Sequence, residues 1–295
     1  MTKSAFSFLL CLACLSLISA RAQQIPSAII SDPAPDPANP AVMEAPDVPS
    51  HGANMHAVFY IASGAGPHPT VLLMHGFPGN EQNMDLAYSI RRAGWNVLVP
   101  HYRGSWGSEG TFSFTHALED TQAAVDFLRD PANVKKYRID PKEIVIIGHS
   151  LGGFVTTYTV SHNPDIAAAA VIAAWNLGES VSHPWPDGYK SFHTASPRLV
   201  GTTPDGLINE AKAHTTDWNY LNWVPGLKDR PILVIEASDG NIGNNQALAE
   251  ALRKAGDQRV TEVHIPTDHT FSDHRIALQV AVLDWLEQIK AQRPK

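Results

Sequence analysis

Short apolar runs alternate along this chain with longer segments of mixed polarity. Met55 to Ala62, Thr70 to His75 (TVLLMH), Asn96 to His101 (NVLVPH), Glu143 to Gly148 (EIVIIG), Ile166 to Ala174, Pro231 to Ala237 (PILVIEA) and Val260 to Ile265 are the apolar runs. Several are apolar at nearly every position and rich in β-branched residues, which predicts strands buried on both faces. Between them, Glu81 to Ala93, His116 to Arg129, Leu151 to His162, Asn244 to Ala255 and Ser272 to Gln288 predict helices. In the second of these, Ala117, Leu118, Ala124, Val125 and Leu128 form an apolar face, and the helix is expected to stop before Pro131. Strand and helix alternating at this pitch predict an α/β fold with a mostly parallel sheet covered by helices on both faces.

Two stretches break the rhythm. Residues 23–50 are rich in Pro, Ala, Asp and Ser and lack an apolar period, so they are expected to form a Pro-rich arm, with the domain proper over 51–295. Trp175 to Lys228 contains no clean strand–helix unit but holds Trp175, Trp185, Tyr189, Phe192, Trp218, Tyr220 and Trp223. It predicts an insertion between two core strands, with both its ends on the side of the sheet that carries the chemistry. From there it would act as a cap, part of its aromatics packing on the core and others, with Trp175, Trp185 and Trp218 as candidates, lining a substrate pocket.

The first residues read differently. Lys3, the apolar run Phe6 to Ile18 and Ala20-Arg21-Ala22 have the pattern of a cleavable signal peptide over 1–22, which predicts export to the periplasm or the extracellular medium. The run is too short to span a membrane, and no other stretch is long and apolar enough. Cys11 and Cys14 both fall within it, so the mature chain is expected to carry neither thiol nor disulfide. With 22 basic residues against 29 acidic ones and no basic run, nucleic acid is an unsuitable partner.

The chemistry concentrates at strand ends. Gly148-His149-Ser150-Leu151-Gly152 fits the G-x-S-x-G nucleophile elbow, set between an apolar strand and a helix. Such a turn leaves the serine hydroxyl exposed at a helix N-terminus, where free N–H groups favour developing negative charge. A serine hydroxyl needs a base and an orienting acid to attack a carbonyl. Asp239 follows the strand PILVIEA and His269 follows VTEVHIP, so both reach the carboxyl edge of a parallel sheet in the order serine, acid, histidine. Asp268 and Glu236 are rivals for the acid. The first is adjacent to the histidine and poorly placed to face its Nδ1; the second lies within the strand. His274 rivals His269 but falls inside a helical pattern. Arg103, in Tyr102-Arg103-Gly104, is expected to pair within its loop rather than bind a substrate carboxylate. The group His264, Asp268, His269, Asp273 and His274 lacks helical ligand spacing, and no metal is expected there.

HGFPG at 75–79, YRG at 102–104, GHSLGG at 148–153, SDG at 238–240 and DHTFSDHR at 268–275 together resemble the α/β-hydrolase superfamily, over about Met55 to Leu286. Dienelactone-hydrolase-like enzymes and the catalytic domains of prolyl-oligopeptidase-like and serine-aminopeptidase-like proteins are the most similar branches. The resemblance implies an acyl-serine mechanism without cofactor and an oxyanion hole built from the backbone amides of Phe77 and Leu151. Its departures are a serine where true dienelactone hydrolases use cysteine, too short a leading stretch for a β-propeller, and HGFPG in place of HGGG. The expected substrate is a small acyl ester, or alternatively a short peptide. A free substrate amine would need a carboxylate in the cap, for which Glu179, Asp187, Glu210 and Asp217 are candidates. A non-catalytic binding protein of the same fold is the rival of another class, and it would be expected to have lost part of this set.

Overall fold

The computed structural model describes residues 25–184 and 186–292, without the side chains of Pro186 and Asp187. The predicted signal peptide, with Cys11 and Cys14, lies outside them, as does Trp185.

Nine strands form the sheet among the described residues: β1 Val42–Glu44, β2 Asp47–Ser50, β3 Ala53–Ile61, β4 His68–Met74, β5 Asn96–Pro100, β6 Ile139–His149, β7 Ala168–Ile172, β8 Ile232–Ala237 and β9 Val260–Ile265. The order is β1-β3-β5-β4-β6-β7-β8-β9, with β2 pairing β3 as well. From β5 to β9 every pairing is parallel; β1, β2 and β5 meet β3 antiparallel. The helices are α1 Ser27–Ile30, α2 Met84–Arg92, α3 Phe114–Arg129, α4 Pro131–Tyr137, α5 Leu151–His162, α6 Leu177–Val181, α7 Pro186–Ala195, α8 Pro204–Ala213, α9 Val224–Leu227, α10 Ile242–Lys254 and α11 Arg275–Ala291.

Strand alternation sorts the core into two layers. Leu72, Met74, Leu98, Ile144 and Ile146 point to the face covered by α3 and α5. Val71, Leu73, Val97, Val99, Val145 and Ile147 point to the face covered by α2 and α11. The predicted strands and helices of the core all appear, most with ends shifted by one to three residues. Between the predicted core elements, α4 is an addition. It begins at Pro131 itself, capped by the Asp130 carboxylate, which accepts from the amides of Ala132 and Asn133.

Two expectations need correction. The arm is not wholly outside the domain, because Val42–Glu44 and Asp47–Ser50 add to the sheet through β3 and Ser50 is buried on Asp120. These strands are three and four residues long, with Pro49 in one, too short for their alternation to stand out in sequence. The insertion does leave β7 at its carboxyl end. It returns, however, to the start of β8, which in a parallel sheet is the opposite edge. The turn Tyr220–Trp223 and α9 run down along α5 to make that crossing. At the bottom the Arg230 guanidinium donates to the carbonyls of Asn163 and Ile166, closing the return. Only α6, α7 and α8 are left to overhang the carboxyl edge.

Candidate active site

Ser150 stands between β6 and α5 with φ 57° and ψ −116°, a backbone conformation that side-chain-bearing residues rarely adopt. It is held there from both sides: its amide donates to the Ile172 carbonyl at 2.9 Å, and its carbonyl accepts from Trp175 N at 3.0 Å. The turn is so tight that a Cβ on Gly148 would lie 2.0 Å from the Gly152 carbonyl oxygen, and one on Gly152 would lie 2.1 Å from that of Met74. Only glycine permits this approach. The Leu151 amide is the first of α5 and has no carbonyl one turn back to serve.

Asp239 and His269 meet in the loops after β8 and β9. The His269 Nδ1 lies 2.5 Å from Asp239 Oδ2, while Asp239 Oδ1 accepts from Asn241 N at 2.8 Å. The two loops are joined by the Ser238 amide donating to the Thr267 carbonyl. The rivals are engaged elsewhere. Asp268 is a loop staple: it accepts from the Ser272 hydroxyl and amide and from the Thr270 amide and hydroxyl, and these bonds, the Ser272 hydroxyl foremost, hold its carboxyl well below the usual range. Glu236 is buried and accepts from Gln246; burial, then the neighbouring Glu262, raises its carboxyl to about 7. His274 precedes α11 and faces Asp273 at 2.9 Å. Arg275 ties the histidine loop down by donating to the Thr270 carbonyl while its other nitrogens hold Asp85 and Asn83.

The link between serine and histidine runs partly through a residue whose role the sequence did not reveal. His149, next to Ser150, donates from Nε2 to the His269 carbonyl at 2.8 Å, and the two imidazoles lie 4.8 Å apart. Burial, then the proximity of His269, pushes its pKa down to about 3, so it is neutral. Asn245 was also missed: buried in α10, it accepts from Ala174 N and donates to the Ala174 carbonyl, fixing the loop behind Ser150. Its place in an ordinary helical pattern carried no signal.

Phe77 follows β4 in the HGFPG loop, whose His75 carbonyl accepts from the Tyr102 hydroxyl. Its half-buried ring meets Phe112, Phe114, Trp175 and Phe192, with centroids 5.6–6.2 Å apart. Trp175 therefore sits beside both the elbow and this loop, and its indole donates to Ser180 Oγ. Trp218 does not line an open pocket: it is buried against Phe114 and Phe154 and stacked on His214 at 4.1 Å, so packing accounts for it. Arg103 is buried and bound to Asp120, 2.5 Å from Nε to Oδ1, and to Glu119. Asp120 also takes the hydroxyl of Ser50 and the amide of Arg103, so Arg103 has a structural role. Among the described residues no group of three or more His, Cys, Asp or Glu side chains is arranged to hold a metal ion, and no helix is long and apolar enough to cross a membrane.

The overall fold recurs in known proteins. A family model described as alpha/beta hydrolase fold matches residues 69–201. A solved structure of Est1E from Butyrivibrio proteoclasticus with ferulic acid bound superposes with a TM-score of 0.65 over 84% of this chain and all of that one, at 17% identity. The chain has the α/β-hydrolase fold. In sequence, the chain is 31% identical to acylamino-acid-releasing enzyme 1 of Oryza sativa subsp. japonica over 134 residues, 41% of this chain and 16% of that enzyme. It is 29% identical to the uncharacterized protein YfhR of Salmonella typhimurium over 161 residues, 53% of this chain and 52% of the other. The chain thus spans about half or less of these relatives' lengths.

Buried neutral histidines give this chain a defined acid sensitivity. Burial foremost holds His75 and His149 at about 3 and His101 at about 4. An unfolded histidine titrates near ~6.5, so the unfolded chain binds more protons below that pH. The stability these groups contribute is full above pH ~6.5 and is lost as pH falls toward 4. Glu236, raised to about 7, has the opposite sign. Together they predict that unfolding free energy drops by roughly 2–3 kcal/mol per pH unit around pH 5.5. Urea unfolding at pH 7.0, 6.0 and 5.0 checks this, and a flat profile would contradict the burial of these histidines. His149→Gln is expected to flatten the slope by about one proton's worth, ~1.4 kcal/mol per unit.

Proposed function

We propose that this chain is a serine hydrolase that cleaves carboxylic esters through an acyl-serine intermediate. The observation that carries the reading is the Asp239–His269 pair, held by His149 beside a serine in a strained turn at a helix N-terminus. In the proposed reaction Ser150 Oγ attacks the acyl carbonyl as His269 takes its proton. Asp239 keeps the imidazole oriented and stabilises its charged form. The Phe77 and Leu151 amides donate to the oxyanion, and collapse of the tetrahedral intermediate expels the alcohol, protonated by His269. Water, activated by the same histidine, then releases the acid and restores Ser150.

The known esterase and acylaminoacyl peptidase structures of this fold support hydrolysis of either esters or amides. Esters are favoured over peptides with a free amino terminus because two of the candidate cap carboxylates, Glu210 and Asp217, are committed. Glu210 accepts from the Phe114 and Thr115 amides at the start of α3, and Asp217 is paired with His214. The matching experiment is a panel of p-nitrophenyl acyl esters of graded length beside amino-acid and dipeptide p-nitroanilides. The expected result is turnover of short acyl esters with little release from the nitroanilides; the reverse order would make the peptidase reading the correct one. We further propose export through a signal peptide cleaved after Ala22.

A further inference from the structure

A groove of about 350 Å³ separates the HGFPG loop from cap helix α7. We infer that it is a subsite for a carboxylate carried by the substrate, which makes the preferred substrate a monoester of a dicarboxylic acid. The inference rests on the ester-hydrolase reading of Ser150.

One wall is Phe77 and Pro78, the loop that supplies the proposed oxyanion amide; the other carries Lys190, Thr194 and Arg198. Those three lie four residues apart, along one face of α7 and the turn that continues it. Arg198 Nη1 donates to the Thr194 carbonyl at 2.6 Å, which fixes the guanidinium against the helix and leaves its remaining N–H groups free to face an anion. Among the described residues neither Lys190 nor Arg198 meets an acidic side chain. In a chain with more acidic than basic residues, two unopposed cations on one wall of the groove, facing Phe77 and Pro78, make it locally positive. A guanidinium fork is suited to a carboxylate, and a neighbouring ammonium adds to the same field. Phe77 and Pro78 give the intervening methylenes an apolar surface. The acyl chain would then run from Ser150 past Phe77 with its free carboxylate at the cations. Hydrolysis adds water across the ester bond and releases the alcohol and a dicarboxylate.

The test compares p-nitrophenyl glutarate monoester with p-nitrophenyl valerate, an uncharged acyl chain of equal length. Wild type is expected to prefer the glutarate monoester, and the preference should shrink in 0.5 M NaCl, which screens exposed charges. Lys190→Ala with Arg198→Ala should lower kcat/KM for the glutarate monoester about tenfold or more, chiefly through KM, and leave valerate within about twofold. Parallel changes for both esters, or none, would overturn the subsite. Labelling of Ser150 by a fluorophosphonate separates this from the parent reading. A chain that labels on Ser150 but does not discriminate has lost only the subsite. If Ser150 does not label and neither ester turns over, the hydrolase reading fails, and calorimetric titration with glutarate decides the groove. Binding lost in the double variant supports it; no binding to wild type rejects it.

Discussion

Ser150→Ala is expected to lower kcat for a p-nitrophenyl ester by about 10⁶, and His269→Ala by nearly as much, because nucleophile and base act as a unit. Asp239→Ala should cost less, about 10⁴, since the base survives without its orienting partner. These losses should fall on kcat with KM little changed. His274→Ala is the control: it sits one residue before α11 and faces Asp273, whereas Asp239 is engaged by His269, so it should stay within about tenfold of wild type. Steady-state kinetics on the four variants, with circular dichroism to establish folding, read the comparison. A His274 variant that is dead while the His269 variant is active would reverse the assignment.

Gly152→Ala should be strongly disruptive for a single added methyl group. Its Cβ would stand 2.1 Å from the Met74 carbonyl oxygen and 2.7 Å from its carbon, and neither is the end of a flexible side chain. Relief requires α5 and the end of β4 to separate, which moves the Leu151 and Phe77 amides apart along with the turn at Ser150. A forced backbone shift of this kind belongs with the few substitutions that cost more than about 4 kcal/mol. For a domain of this size that lowers the melting temperature by roughly 8–16 °C. Gly243→Ala provides the contrast: nothing lies within 4 Å of its Cβ, and it is inside α10, where alanine should be neutral or stabilise by up to about 1 kcal/mol. Thermal melts of both variants check this. Equal melting temperatures would mean that the elbow is looser than these distances.

Much of this arrangement was legible because strong local signals agreed. The strands of the parallel sheet announce themselves by runs such as TVLLMH and EIVIIG, which suit only a position buried on both faces. Strand ends then located Ser150, Asp239 and His269 without knowledge of any contact. His269 was preferred to His274 because it follows a strand, while His274 was read inside a helical pattern; the structure sets His274 just ahead of α11 instead. What remained hidden depends on distance or direction. The strands in the Pro-rich arm are stabilised by β3 rather than by their own pattern. The helices α6 to α8 carry Pro, Gly and scattered aromatics whose periodicity is set by the surfaces they cover. Trp218 and Trp175 look alike in sequence, yet one packs between α3 and α5 and the other stands against Ser150 and Phe77. The return path of the insertion follows from strand polarity, and attention to which end of β8 it must reach would have shown it.

The nucleophile is the point on which the whole account turns. The direct measurement is fluorophosphonate labelling of the folded chain, followed by intact mass and peptide mapping. The predicted result is a single adduct, on the peptide containing Ser150, abolished in Ser150→Ala and strongly slowed in His269→Ala. An adduct on another residue, or labelling of Ser150→Ala at the wild-type rate, would contradict it.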